Sequence, residues 1–122
     1  MNGSLRLAVL SEEPDFVQVG CAGDICLPEF EPEREPLSLL LGPQIYSRKV
    51  LLNLEKANCL DTSGISWLLH CDEAFRKAEG TFVLHSIPAR VRYVLHLLRM
   101  EELLPTVTDL AAAKAFASRK TS

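Results

Sequence analysis

The run Val50-Leu51-Leu52-Asn53-Leu54 constrains this chain most. It is compact, almost wholly apolar and lacks strict alternation, which suits a strand buried on both faces. Lys49 starts it, and Glu55-Lys56-Ala57-Asn58 reads as leaving the sheet. Cys59-Leu60 anchors the chain again, and Asp61-Thr62-Ser63-Gly64 opens a helix. From Ile65 to Ala78 the apolar residues Ile65, Leu68, Cys71, Phe75 and Ala78 recur every three or four positions, so the helix buries one stripe. Asp72, Glu73, Arg76, Lys77 and Glu79 fill its other side. Asp72–Arg76 and Glu73–Lys77 are acid-before-base pairs at i,i+4, each worth roughly 0.2–0.5 kcal/mol on an exposed face. Gly80 reads as the left-handed residue that ends the helix.

The flanking segments supply neighbours for that strand. Residues 5–10 and 16–21 pattern as two strands around the polar turn Ser11-Glu12-Glu13-Pro14-Asp15, an antiparallel hairpin that Gly23-Asp24 ends. Residues 27–36 hold three prolines and four glutamates, which argues against a regular element and for an exposed acidic loop. Leu37 to Leu41 reads as a short helix stopped at Gly42-Pro43, with a further short turn before Arg48. Thr81 to His85 is a strand. Ser86 or Ile87 caps the next helix and Pro88 takes its first turn, where proline costs least. Val91, Val94, Leu95 and Leu98 form its apolar stripe, with Arg90, Arg92 and Arg99 on the other side. Glu101 to Pro105 turns the chain, Thr106-Val107-Thr108 is a short last strand, and Asp109 caps a helix from Leu110 to about Ala117. Residues 118–122 read as a frayed polar tail. The order β-β-α-β-α-β-α-β-α predicts one α/β domain over residues 1–122. Its central sheet is mixed, an opening antiparallel hairpin followed by parallel strands, with helices packed against it.

Composition removes several function classes. The 122 residues carry a formal charge of −3, so no basic surplus is available for phosphate backbones and nucleic-acid binding is not expected. No apolar run reaches the roughly 18–20 residues of a membrane span. Met1 to Leu10 is too short and too polar for a signal peptide, so the expected compartment is the cytoplasm. Cys21, Cys26, Cys59 and Cys71 include no CxxC pair, and His70, His85 and His96 do not fall at zinc-finger spacing. They read as reduced thiols, with Cys59 and Cys71 buried among apolar neighbours. No metal or cofactor is expected. GxxxxGK[ST], GxGxxG and GxSxG are all absent, and Ser63, His85 and Asp61 make only the kind of triad any chain this size offers. The expectation is a binding module and not an enzyme.

The chemistry concentrates in Asp61-Thr62-Ser63-Gly64. Aspartate, serine and threonine are favoured at helix N-caps, because the side-chain oxygen accepts a free backbone N–H for about 1 kcal/mol. Capping alone accounts for these residue types. The same position offers unpaired N–H groups and the positive end of the helix dipole, so a phosphate there is tolerated. A hydroxyl at this spot can therefore accept about two negative charges without unfolding its helix, while opposing any surface selected for the neutral form.

From Lys49 to about Phe116 the chain resembles the STAS domain in its small, stand-alone bacterial form. The resemblance rests on the strand Val50-Leu51-Leu52-Asn53-Leu54 and on Asp61-Thr62-Ser63-Gly64-Ile65 leading into Leu68-Leu69. It rests also on Phe82-Val83-Leu84 before Pro88-Ala89-Arg90-Val91, and on Leu103-Leu104-Pro105 before a short strand and an alanine-rich helix. It implies an anti-sigma factor antagonist, which binds an anti-sigma factor that is also a serine/threonine kinase. Phosphorylation of the first hydroxyl after the aspartate ends the binding, and a phosphatase restores it. By position that hydroxyl is Thr62, with Ser63 the second choice and the candidate cap; Asp61 and Gly64 complete the turn. Threonine stands where serine is commoner, and residues 27–36 depart from the family's regular first helix.

Two other readings go with the wider family: a scaffold or transporter-associated module without a phosphorylation switch, and a small-ligand carrier. Trp67, the single tryptophan, lies near the turn. It either packs against the sheet or a neighbouring helix, or is exposed as an anchor for the partner. The oligomeric state is not legible.

Overall fold

The computed structural model describes residues 4–28 and 30–119. Strands β1 (Arg6–Glu12), β2 (Val17–Ile25), β3 (Lys49–Leu60) and β4 (Thr81–His85) form one sheet in that order. β1 runs antiparallel to β2, while β2–β3 and β3–β4 are parallel. The helices are α1 (Pro36–Leu41), α2 (Thr62–Lys77), α3 (Ala89–Leu97) and α4 (Leu110–Arg119). The mixed sheet and its crossover helices are those the periodicities predict.

The strand read first from sequence is the spine of both cores. Val50, Leu52 and Leu54 of β3 face a large core that includes Val17 and Val19 of β2, Trp67, Leu68 and Phe75 of α2, and Val91 and Leu95 of α3. Leu51, between them, joins Val83 in a smaller core on the other face, under Ala113 and Ala117 of α4. Alternate residues of one strand thus enter opposite cores. Phe75 stacks on Phe82 at 5.1 Å between centroids, and Tyr46 meets Phe75 edge-on at 5.2 Å.

Several boundaries move for identifiable reasons. β3 does not release the chain at Glu55: Lys56, Ala57, Cys59 and Leu60 pair with Ala22, Gly23, Asp24 and Ile25. Register shifts between Gly20 and Ala22 and between Gly23 and Asp24 absorb the irregularity, as bulges do. For the same reason Gly23-Asp24 lies within β2 and does not end it. Thr106-Val107-Thr108 forms no strand of its own; it joins the sheet by one parallel bridge, Leu84 to Thr106. At the end of α2 the left-handed position belongs to Glu79 (φ 64°), not to Gly80. The Gly80 N–H donates to the Phe75 carbonyl at 2.8 Å, the longer bond of a Schellman turn. Gly80 is needed for room, because a Cβ there would lie 2.1 Å from the Tyr46 carbonyl oxygen. Pro88, in extended conformation, is itself the cap residue of α3. Arg99 has left the helix with φ 59°.

Asp109 caps α4 as expected, accepting the Ala112 N–H at 2.9 Å, but α4 continues to Arg119; residues 120–122 of the expected tail lie outside the described residues. Both i,i+4 ion pairs of α2 form, at 2.9 Å for Asp72–Arg76 and 3.5 Å for Glu73–Lys77. Asp72 is nonetheless buried, not on an open face. Of the four cysteines, all unbridged, Cys21 and Cys71 are buried whereas Cys59 is exposed, because its alternation in β3 turns it away from the core.

The end of β4 carries a titratable group inside the fold. His85 is fully buried; its Nδ1 lies 2.9 Å from Ser86 Oγ, and Nε2 has no hydrogen-bond partner among the described residues. Burial holds its pKa below the ordinary 6.5, against the opposing pull of the Asp109 and Glu55 carboxylates. The unfolded chain therefore takes up a proton here before the folded one does. Stability from this site is complete above about pH 6.5 and declines as pH falls below that value toward the lower folded pKa. Urea midpoints measured from pH 5 to 8 are expected to drop on the acid side, and His85→Gln to remove that component. An unchanged acid slope in the variant would assign it to other groups.

Candidate functional site

β3 ends at Leu60, and the backbone of Asp61 stays extended (φ −119°, ψ −176°) as the N-cap of α2. Asp61 Oδ1 accepts the Gly64 N–H at 3.0 Å and the Ser63 hydroxyl at 2.6 Å. The cap is therefore Asp61, and the expectation that Ser63 fills that role is corrected. Ser63 Oγ instead accepts the Leu27 N–H at 2.8 Å, tying the turn to the chain leaving β2. Gly64 is packed tightly against the same segment, with the site of a Cβ only 2.0 Å from the Ile25 carbonyl oxygen.

These contacts separate the two hydroxyls. Ser63 donates to Asp61 and accepts from Leu27, so its oxygen is engaged in both directions. Thr62, the first residue of α2, is exposed, and its hydroxyl has no hydrogen-bond partner among the described residues. The free oxygen sits where first-turn N–H groups and the helix dipole favour added negative charge.

Around the turn lies a polar rim that sequence reasoning does not assemble. The Cys26 thiol, then the Ser63 hydroxyl and backbone N–H groups, hold the Asp61 carboxyl below its ordinary range; Asp61 in turn pushes the Cys26 thiol up. Asp24 is lowered first by the Asn58 amide, at 2.9 Å, and next by the Cys59 thiol. Arg90 donates to Asn58 Oδ1 at 3.0 Å, so one residue of the predicted basic face reaches this rim. Arg92 instead bonds the Ile87 carbonyl oxygen.

Trp67 is fully buried, so of its two readings the packed one holds and the exposed anchor for a partner is corrected. Its indole N–H donates to Glu35 Oε2 at 2.6 Å. Glu35 belongs to the stretch read as an exposed acidic loop, yet it is completely buried. Its carboxylate also accepts the Leu37 N–H at 2.6 Å, the Ser38 N–H at 3.1 Å and the Tyr46 hydroxyl. Pro32–Arg34 forms a 3-10 turn leading to it, while Glu29 lies outside the described residues. The available signal is Glu35-Pro36: an acceptor just before a proline at the first position of a helix is a cap.

Among the described residues no group of three or more His, Cys, Asp or Glu side chains is placed to hold a metal ion. No helix among them is long and apolar enough to cross a membrane.

The sequence model of the STAS domain matches residues 7–113. Among solved structures, an anti-sigma factor antagonist from Mycobacterium paratuberculosis is similar over 94% of this chain and 95% of its own, at 18% identity and TM-score 0.74. SpoIIAA, an anti-sigma factor antagonist in its unphosphorylated form, is similar over 98% and 99%, at 14% identity and TM-score 0.64. An anti-sigma-factor antagonist (STAS) domain protein from Planctomyces limnophilus covers 93% and 97%, at 19% identity and TM-score 0.59. No curated protein matches. At these identities the structural likeness is a likeness of fold.

Proposed function

The chain belongs to the STAS domain family, and from that premise we propose that it is an anti-sigma factor antagonist switched off by phosphorylation of Thr62. Its partner in this reading is a serine/threonine kinase that doubles as the anti-sigma factor, with a phosphatase resetting the switch. The observation that carries the reading is the contrast at the start of α2. Thr62 offers a free, exposed oxygen on a helix N-terminus, while the neighbouring Ser63 oxygen is committed to Asp61 and Leu27. Phosphorylating Ser63 would break both contacts. Phosphorylating Thr62 breaks none and places the charge where the helix accepts it. Against a partner surface shaped for a neutral hydroxyl, the same two charges are repelled.

The test pairs labelling with binding. Incubated with ATP and the kinase-type anti-sigma factor encoded in the same genome, the chain is expected to yield one phosphopeptide, at Thr62. Thr62→Ala abolishes the label and keeps binding; Thr62→Asp weakens binding about tenfold or more, or roughly 1.4 kcal/mol and upward. A label that persists in Thr62→Ala, or unaltered binding by Thr62→Asp, rejects the assignment.

A further inference from the structure

The face of the sheet away from α2 is covered by α4 over β3 and β4, where Ala113 and Ala117 pack on Leu51 and Val83. Toward β1 and β2 the same face is open: Arg6 and Ala8 are exposed, and Gly20 and Ala22 are half-buried. The register builds its floor. Ala8 pairs with Gly20 and Gly20 with Asn53; one rung on, Arg6 pairs with Ala22 and Ala22 with Lys56. Residues paired across a sheet share a face, so small residues pave the centre while Arg6, Asn53 and Lys56 stand at the edges. Leu10 falls at the register shift between Val9 and Ser11, and its side chain lies over Gly20, 3.2 Å from the site of a Cβ there. The result is a trough of about 510 Å³ with a flat floor and Leu10 as a wall. Sites for small molecules have volumes of roughly 300–1,000 Å³.

The polar groups on the trough are mostly donors. Among the described residues neither Arg6 nor Lys56 is in an ion pair; Arg6 Nη1 donates to the Ser4 carbonyl oxygen at 3.3 Å. Asn53 Oδ1 accepts the Glu55 N–H at 2.8 Å, which leaves the amide N–H groups of Asn53 for a ligand. Glu55 is the one carboxylate on the lining. It pulls on buried His85 of β4, which places its charge at the β4 side of the trough, away from Arg6 on β1. Two strand spacings, about 10 Å, separate the Cα atoms of Arg6 and Lys56. Two long side chains can close that span on one carboxylate, which a guanidinium takes through two N–H groups. A flat apolar floor rimmed by unpaired cations is complementary to a planar, apolar anion. We propose that this trough binds a small aromatic carboxylate, its ring over Ala8, Gly20 and Ala22 and its charge between Arg6 and Lys56. The site involves neither Thr62 nor the turn that holds it, so it stands or falls separately from the phosphorylation reading.

The test uses the full chain, 15N-labelled, and two probes of one shape, naphthoate and its neutral amide. Naphthoate is expected to shift the amides of Ala8, Gly20 and Ala22, and naphthamide to bind the same place at least tenfold more weakly. Arg6→Gln and Lys56→Gln alter exposed side chains and leave the core intact. Together they are expected to weaken naphthoate at least tenfold and to leave naphthamide unchanged, a difference that lost folding would not produce. Ala8→Phe puts a ring at an exposed strand position, where aromatic residues are tolerated, and fills the trough. It is expected to abolish binding of both probes while the urea midpoint stays in place. Shifts centred away from β1 and β2, equal binding of the two probes, unchanged naphthoate affinity in the double variant, or binding that survives Ala8→Phe overturns the proposal. So does the absence of any shift at about 1 mM naphthoate, the weak limit of a specific site.

Discussion

Glu35→Ala is expected to lower the unfolding free energy by about 3–5 kcal/mol, because it strands several buried donors at once. The side chain has no exposed surface, and its two oxygens accept from the Trp67 indole, the Tyr46 hydroxyl and two backbone N–H groups at the start of α1. A carboxylate has only acceptors to offer, and here it meets only donors. Each buried donor left without a partner costs roughly 1–3 kcal/mol, and the vacated volume adds to that. The contacts also join three segments: the end of the proline-rich stretch, the turn at Pro43–Ser47, and the middle of α2. The Tyr46 hydroxyl shows the same environment, its pKa pushed up by burial first and by Glu35 second. Tyr46→Phe, which removes one donor and leaves the acceptor, is expected to cost about 1 kcal/mol. Urea unfolding followed by Trp67 fluorescence measures both, and the alanine variant is expected to shift the native emission as well. A loss below about 1 kcal/mol for Glu35→Ala would mean that water replaces the carboxylate freely.

That same residue shows where sequence reading ends. Val50 to Leu54 and Thr81 to His85 were legible because short, mainly apolar runs without a helical period read as buried strands. α2 was legible because its stripe keeps a 3.6 period across four turns. Glu35 was not, since four glutamates among three prolines look alike in composition, and only the fold selects the one that meets Trp67. Trp67 was open for the matching reason: its destination depends on a partner 32 positions away. β3 ran longer than expected because the residues that hold Glu55 to Asn58 in the sheet belong to β2, whose bulges sit at Gly20 and Gly23, and a glycine there reads equally as the end of a strand. At the start of α2 the residue types were readable and their division of labour was not. Capping chemistry allowed Asp61 or Ser63 to be the cap; the Leu27 N–H, brought in by the parallel pairing of β2 with β3, engages Ser63 and leaves the cap to Asp61. That tertiary contact is also what leaves Thr62 as the unengaged hydroxyl.

The turn therefore depends on how closely α2 approaches the end of β2, and Gly64→Ala tests that dependence directly. In an isolated helix the change would favour folding by up to about 1 kcal/mol. Here the added Cβ would lie 2.0 Å from the Ile25 carbonyl oxygen and 2.8 Å from its carbon. These are backbone atoms of a strand held in the sheet, so neither can turn aside as a side chain would. The start of α2 must move instead, stretching the Asp61 N–H bond to that carbonyl, already 3.4 Å, and the Ser63–Leu27 bond. A net loss of about 3 kcal/mol is expected, the upper part of the range for overpacking. It should appear in urea unfolding together with displaced amide resonances at Leu27, Thr62 and Ser63. The functional consequence separates placement from chemistry. Thr62 keeps its hydroxyl in this variant, so reduced phosphorylation of the folded protein would show that the oxygen must be held in position as well as be present. Wild-type stability with unmoved resonances would show that α2 can withdraw without cost, and the close approach would then place no demand on the proposed switch.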